Sequence, residues 1–268
     1  MDWFEALILG LIQGLTEFLP VSSSAHLTIG RELLGVGAAE DLVFETAVHA
    51  ATVLATIVVF RKPIWDLLKG LFRFKYNDQT DYILKICVSM IPVFIVGMFF
   101  KDEVEALFSS LKVVGVALLV TSLLLFFSDR ASGNGRSGAP QYRNGISYWQ
   151  AFVVGIGQAF AVIPGLSRSG TTISTGLLCG VRRDTMAQFS FLMVIVPILG
   201  ESFLDVVGGG FSASSVGAVP LLAGFVAAFA SGLLACRLMV ALVRKARLSW
   251  FALYCAVVGV IVLITQLF

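Results

Sequence analysis

The chain has 268 residues; 57% are hydrophobic, 13% are charged, the net charge is +2 and the mean hydropathy is +0.91. Soluble domains run at roughly 45–50% apolar and about 25% charged residues, and a soluble chain of this size could not hide so much apolar surface behind so few polar groups. These values exclude a soluble enzyme, a disordered chain and a nucleic-acid binder. They leave an all-α polytopic membrane protein.

The start, Met-Asp-Trp-Phe-Glu, has no basic run of the kind that opens a cleavable signal peptide. A first apolar stretch, 4–35, is interrupted by a Pro/Ser-containing segment where a spanning helix would be continuous. Three spanning helices are expected near 44–60, 83–100 and 113–127, the last needing flanking residues to reach across. Residues 131–145 read as a linker. A second interrupted stretch covers 146–181, and three more spans are expected near 186–205, 217–236 and 249–267. The aromatic and basic run 64–75 reads either as an interfacial helix or as a simple cytoplasmic stop signal. Cys87, Cys179, Cys236 and Cys255 have apolar surroundings and no metal-like spacing, and read as small buried hydrophobes.

The connecting segments differ in sign. Arg61, Lys62, Lys69, Arg73, Lys75 and Lys85 lie in 61–85, Arg130, Arg136 and Arg143 in 128–145, and Arg237, Arg244, Lys245 and Arg247 in 237–247. Those segments belong on the cytoplasmic side by the positive-inside rule. Segment 101–105 sets one lysine against Asp102, Glu103 and Glu105, and segment 206–216 has no Lys or Arg, so both belong outside. The pattern closes only if 4–35 enters and leaves from the outer face and 146–181 from the inner face. Both are then re-entrant hairpins, and both chain termini lie outside.

The two interrupted stretches also match each other. GLIQGLTEFLPVSSSAH begins at Gly10 and GIGQAFAVIPGLSRSGT at Gly155. Gly10 and Gly155, and Gln13 and Gln158, are 145 apart; Pro20 and Pro164, and Ser23 and Ser167, are 144 apart; Phe44 and Phe189 return to 145. Three spans follow each hairpin. An odd number forces opposite orientations on the two halves, in agreement with the charge pattern. The expected organisation is an inverted repeat within one membrane domain: 1–130, a cytoplasmic linker 131–145, and 146–268. Broken helices in inverted repeats place sites near the bilayer midplane.

Charges inside apolar segments are costly and mark function. The first hairpin holds Gln13 and Glu17, four apart and so on one helix face, then Pro20, Ser22, Ser23, Ser24 and His26. The serines suit the cap of a returning helix. The second holds Pro164, Gly165, Ser167, Arg168, Ser169, Gly170, Thr171 and Thr172. Arginine among hydroxyls, glycine and a helix start forms a phosphate site. A purely structural Glu17–Arg168 pair is the competing reading. Together the two breaks hold a carboxylate, an imidazole, a guanidinium, hydroxyls and two helix starts, an inventory suited to phosphoryl transfer. Glu17, with Gln13 as a weak second ligand, would suit a Mg²⁺ or Ca²⁺ ion that keeps waters and substrate oxygens. Glu45, His49, Glu201 and Asp205 rank lower: His49 reads as readily as a packing residue, and the last two as interfacial.

Residues 13–26 and 164–172 resemble the two signature motifs of the undecaprenyl pyrophosphate phosphatase family, the bacitracin-resistance type. The resemblance extends to Phe44-Glu45 and to the hydropathy of nearly the whole chain. It implies a multi-pass hydrolase of the bacterial plasma membrane, dependent on a divalent cation; the topology read from the charges expects its site to open to the outer side. Its implied substrate is a prenyl pyrophosphate lipid, converted to the monophosphate carrier of peptidoglycan synthesis. Its implied catalytic set is Glu17, His26 and Arg168, with Ser22, Ser23, Ser167 and Thr172 around the phosphates. Gln13 stands where the family also permits Glu, and a neutral amide is neither a charged ligand nor a base. Ser23 is the expected nucleophile if a covalent intermediate forms, and direct attack by water stays open. A lipid-phosphate transporter using the same midplane site is the alternative function. Oligomeric state is not readable from the sequence.

Overall fold

A computed structural model describes residues 1–36, 41–107, 110–133, 142–200, 216–245 and 247–267. Every regular element among them is helical. The helices are α1 (Trp3–Phe18), α2 (Ser23–Leu34), α3 (Asp41–Val59), α4 (Arg61–Leu71), α5 (Asp78–Phe99), α6 (Lys101–Leu107), α7 (Leu111–Gly133), α8 (Tyr148–Phe160), α9 (Arg168–Leu178), α10 (Arg183–Met193), α11 (Ala218–Lys245) and α12 (Ser249–Thr265). A 3₁₀ turn, Arg143–Gly145, precedes α8.

The chain is a polytopic membrane protein in its build. Asp78–Phe99, Leu111–Ala131 and Ala218–Val243 are each long and apolar enough to cross a bilayer. α3 and α4 form a further apolar pair bent by 77° at Phe60, and α12 is a shorter apolar helix. Large apolar side chains such as Phe94, Met98, Leu123, Leu222, Leu253 and Ile261 are exposed along these helices, as lipid contact requires.

The breaks follow local chemistry. Asp2 and Glu5 form a capping box that starts α1, and the helix stops before Pro20 because proline cannot donate to the ladder. Ser22 caps α2 by accepting from Ala25 N. It does so at φ +71, a left-handed conformation that is strained for a residue with a Cβ. Ser147 and Gln150 form the capping box of α8, and Ser167 caps α9 by accepting from Gly170 N.

Several elements depart from the sequence expectation. The third span runs over Leu111–Gly133 rather than 113–127. The stretch 186–205 is not one helix: α10 ends at Met193, Val194 is a turn, and residues 195–200 are helical again. Pro197 has no N–H for the Met193 carbonyl, which accounts for the break. Residues 201–205, with Glu201 and Asp205, lie outside the described residues, as does most of the 131–145 linker. α11 continues to Lys245, so Arg237, Arg244 and Lys245 ride on a helix rather than a loop. Lys85 is a buried residue of α5, not a loop charge. Its Nζ is 2.6 Å from Asp81 Oδ2 and 2.7 Å from the Arg143 carbonyl, which ties the start of α5 to the turn before α8.

Close helix contacts recur at glycines. A Cβ at Gly10 would lie 2.3 Å from the Gly224 carbonyl, so α1 and α11 touch backbone to backbone. A Cβ at Gly155 would lie 2.3 Å from the Ser89 carbonyl, so α8 and α5 do the same. α7 and α12 meet at Gly115 and Gly259. Without a hydrophobic drive in lipid, such small-residue contacts carry helix association. Phe44 and Phe189 are both fully buried, the first against Gly224, the second edge-on to Tyr82 of α5 at 5.6 Å.

Candidate active site

The break between α1 and α2 and the break between α8 and α9 touch. Gly165 N donates to Ser24 Oγ at 3.2 Å, and Ser169 Oγ donates to the Leu19 carbonyl at 3.1 Å. A Cβ on Gly170 would meet Pro20 Cβ at 3.3 Å, so glycine lets the second helix start reach the first proline. α12 closes the group from another side, with Cys255 Sγ 3.6 Å from the Pro20 carbonyl.

Glu17 is the hub. Its Oε2 accepts from Ser23 Oγ at 2.6 Å and from Gln13 Nε2 at 2.9 Å. Pro20 turns the chain back, and that return brings Ser23 to a carboxylate six residues earlier. Glu17 and Arg168 both line one pocket. Thr52, Thr56, Ser169 and Ser190 add hydroxyls to its wall, and Phe18, Val53, Phe191, Val194 and Ile198 make the rest apolar. Glu17 and Arg168 form no ion pair within 4.0 Å, and among the described residues Arg168 Nη1 is buried with no hydrogen-bond partner. No direct bond joins the two side chains, and the guanidinium keeps an unsatisfied donor beside the pocket. Ser167 Oγ takes only the Gly170 amide, which leaves the Arg168 and Ser169 amides at the α9 start without partners among the described residues.

The other candidates are placed behind this pocket or beside it. Thr172 Oγ1 lies 2.8 Å from the Arg168 carbonyl and 2.7 Å from Ser190 Oγ, which braces the pocket wall. Ser167 N donates to Thr121 Oγ1 of α7 at 3.1 Å. Ser22 Oγ lies 3.1 Å from Ser24 Oγ. Thr171 Oγ1 is buried and unpartnered among the described residues, away from the pocket lining. His26 does not contact Glu17. Its Nδ1 lies 2.7 Å from the Ser22 carbonyl, its Nε2 lies 2.7 Å from Tyr254 Oη, and the two rings stack at 5.6 Å. The histidine nearest Glu17 is His49, at 3.7 Å from Oε2. Glu45 accepts from Arg31 at 2.9 Å.

The family model described as bacitracin resistance protein BacA matches residues 6–261. The chain belongs to the BacA family. It is 53% identical over 270 residues to an undecaprenyl-diphosphatase of Bacteroides fragilis, covering 99% of each chain. Its identity to the undecaprenyl-diphosphatase of Bacteroides thetaiotaomicron is also 53%, over the full length of both. With undecaprenyl-diphosphatase 1 of Shouchella clausii it shares 37% over 275 residues, 99% of this chain and 97% of that one. The family match spans both breaks and the pocket between them.

Among the described residues no group of three or more His, Cys, Asp or Glu side chains is placed to hold a metal ion. Two oxygen donors remain on one face of α1: the Glu17 carboxylate, and Gln13 Oε1, which is fully buried and has no donor of its own among the described residues. That pair fits a cation that takes its other ligands from water and phosphate. Sequence reasoning put no weight on Thr52, Thr56, Ser190 or Tyr254, because single hydroxyls in apolar helices carry no local signature.

Proposed function

We propose that this BacA-family chain is an integral-membrane undecaprenyl-diphosphatase, converting undecaprenyl pyrophosphate to undecaprenyl phosphate and inorganic phosphate. The observation that carries the site assignment is the unsatisfied Arg168 Nη1 beside a pocket that also contains Glu17 with Ser23 bonded to it. A buried guanidinium without an acceptor costs free energy until an anion arrives, and a phosphate offers oxygens in the matching fork geometry. The apolar wall of the same pocket suits a lipid.

The terminal phosphate sits on Arg168 and the free amides of the α9 start, which offset charge as it develops. Glu17 Oε2 takes the Ser23 hydroxyl proton while Ser23 Oγ bonds to the terminal phosphorus. The bridging P–O bond breaks, and undecaprenyl phosphate leaves. Water then attacks the phosphorus and the Oγ–P bond breaks as the proton held on Glu17 returns to Ser23 Oγ, with His26, beside Ser22 and Tyr254, assigned the proton of the attacking water. A divalent cation, Mg²⁺ or Ca²⁺, would be held by Glu17 and Gln13 Oε1 and would neutralise pyrophosphate charge.

Six spans and two re-entrant hairpins in an inverted repeat are the architecture we assign, with the site open to the outer face of the bacterial plasma membrane and both termini outside. Reciprocal packing supports it: Gly10 of the first half meets α11 of the second, and Gly155 of the second meets α5 of the first.

The test is phosphate release from undecaprenyl pyrophosphate by purified protein in detergent, where no two-sided membrane exists. Release that disappears in Arg168→Ala supports the reading. No release from folded protein that still moves lipid phosphate across vesicles would replace it with a transporter.

A further inference from the structure

Both nitrogens of the His26 ring are held, and by opposite ends of the chain. Nδ1 lies 2.7 Å from the Ser22 carbonyl, one turn back at the start of α2. A carbonyl only accepts, so Nδ1 carries a hydrogen whether the ring is neutral or charged. Nε2 is therefore the atom left to exchange a proton, and it lies 2.7 Å from Tyr254 Oη of α12. The two rings are also stacked, with 5.6 Å between centroids and 8° between planes. The next residue of α12, Cys255, brings its Sγ to 3.6 Å from the Pro20 carbonyl. α12 is thus seated against the first break over more than one side chain.

We propose that Tyr254 is a positioning residue for His26: its hydroxyl and its ring face fix the plane of the imidazole and the direction of Nε2. This role rests on the hydrolase reading above, in which His26 handles the proton of the attacking water, and deepens it. A hydroxyl suits the place because it serves both states of the ring. It donates to the bare Nε2 of the neutral imidazole, and it accepts from the Nε2–H of the imidazolium. The contact therefore survives a change of charge, and the ring keeps its plane as a proton arrives and leaves. The Ser22 carbonyl holds one corner of the ring and Tyr254 Oη holds the far one. Phenylalanine at 254 would keep the stack and drop that second hold.

The test is a double-mutant cycle on the full-length protein in detergent, read as phosphate release from undecaprenyl pyrophosphate. A positioned acid–base group contributes roughly 10²–10⁴-fold, so loss of its aim in Tyr254→Phe should lower kcat by about tenfold or more. KM should stay within about twofold. In His26→Gln protein the same substitution should change kcat by less than about twofold, because a residue that acts through His26 has nothing left to position. A tyrosine that merely packs would lower both backgrounds alike. Near wild-type kcat in Tyr254→Phe, or equal losses in the two backgrounds, overturns the proposal. A second readout needs no turnover. Histidine occurs only at positions 26 and 49, so His49→Gln protein labelled with ¹⁵N-histidine carries one labelled ring, that of His26. Its Nε2 resonance should move in Tyr254→Phe, and an unmoved resonance overturns the proposal even where His26→Gln is too slow to assay. Phosphate release by wild type is scored separately: its absence refutes the hydrolase reading, whereas loss of the Tyr254 role leaves that reading standing.

Discussion

Arg168→Lys is the sharpest perturbation of the site, because it preserves the charge and changes the geometry. The guanidinium sits at the first position of α9, with Nη1 buried and unpartnered and the pocket beside it. A lysine ammonium is a point donor on a flexible stem and cannot place two parallel bonds on two phosphate oxygens. One charge-assisted hydrogen bond should therefore be lost in the transition state, worth about 1.5–3 kcal/mol. That corresponds to a fall in kcat/KM of roughly 10- to 150-fold. The assay is phosphate release from undecaprenyl pyrophosphate in detergent, with Tm measured on the same samples. Tm should hold, because Arg168 makes no ion pair among the described residues that the substitution breaks. An Arg168→Lys variant within about threefold of wild type would refute the bidentate clamp. A collapse of Tm matching the loss of activity would move Arg168 from substrate binding to folding.

Three further outcomes are expected. Glu17→Gln keeps the size of the side chain and removes the proton acceptor of Ser23 Oγ, so kcat should fall by about 100-fold or more with the fold intact; near-normal turnover would place the base elsewhere. Ser23→Ala should abolish any phosphoenzyme trapped by acid quench, and a fully active variant would leave direct attack by water as the route. Gly155→Ala drives a methyl to 2.3 Å from the Ser89 carbonyl, which forces α8 off α5 at a cost of about 1–3 kcal/mol. Its Tm should drop while the KM of the surviving enzyme stays the same, and an unchanged Tm would mean that this contact is not tight.

The breaks were legible because their causes are local. Pro20, Pro164 and the capping serines end and restart helices wherever they occur, so α1, α2, α8 and α9 could be read without knowing their neighbours. Gln13 and Glu17 share a face by period alone, and the structure bonds them at 2.9 Å. The departures are tertiary. His26 and Tyr254 are 228 positions apart, and nothing near either residue announces the 2.7 Å contact. His49 approaches Glu17 only because α3 packs beside α1. The break at Val194 was hidden because apolar content masks a proline that falls inside a hydrophobic run. Lys85 looked like a loop charge because its partner Asp81 supplies the compensation one turn away.

The proposed repeat also explains how the chemistry is divided between the halves. Gln13 pairs with Gln158 at an offset of 145, which sets Glu17 against Val162; the capping residues Ser22 and Ser167 are also 145 apart, which sets Ser23 against Arg168. Neither charged residue has a charged counterpart. A symmetric pair of carboxylates or guanidinia at touching helix breaks would repel in a medium that screens poorly. On the proposed mechanism, dividing the charges would give one half the proton acceptor and nucleophile and the other half the anion clamp. The halves keep the features needed to build a break, namely the proline, the capping serine and the close-packing glycine. On the proposed mechanism both halves must be docked before either break is useful, so the Gly10 and Gly155 contacts would serve catalysis through the fold.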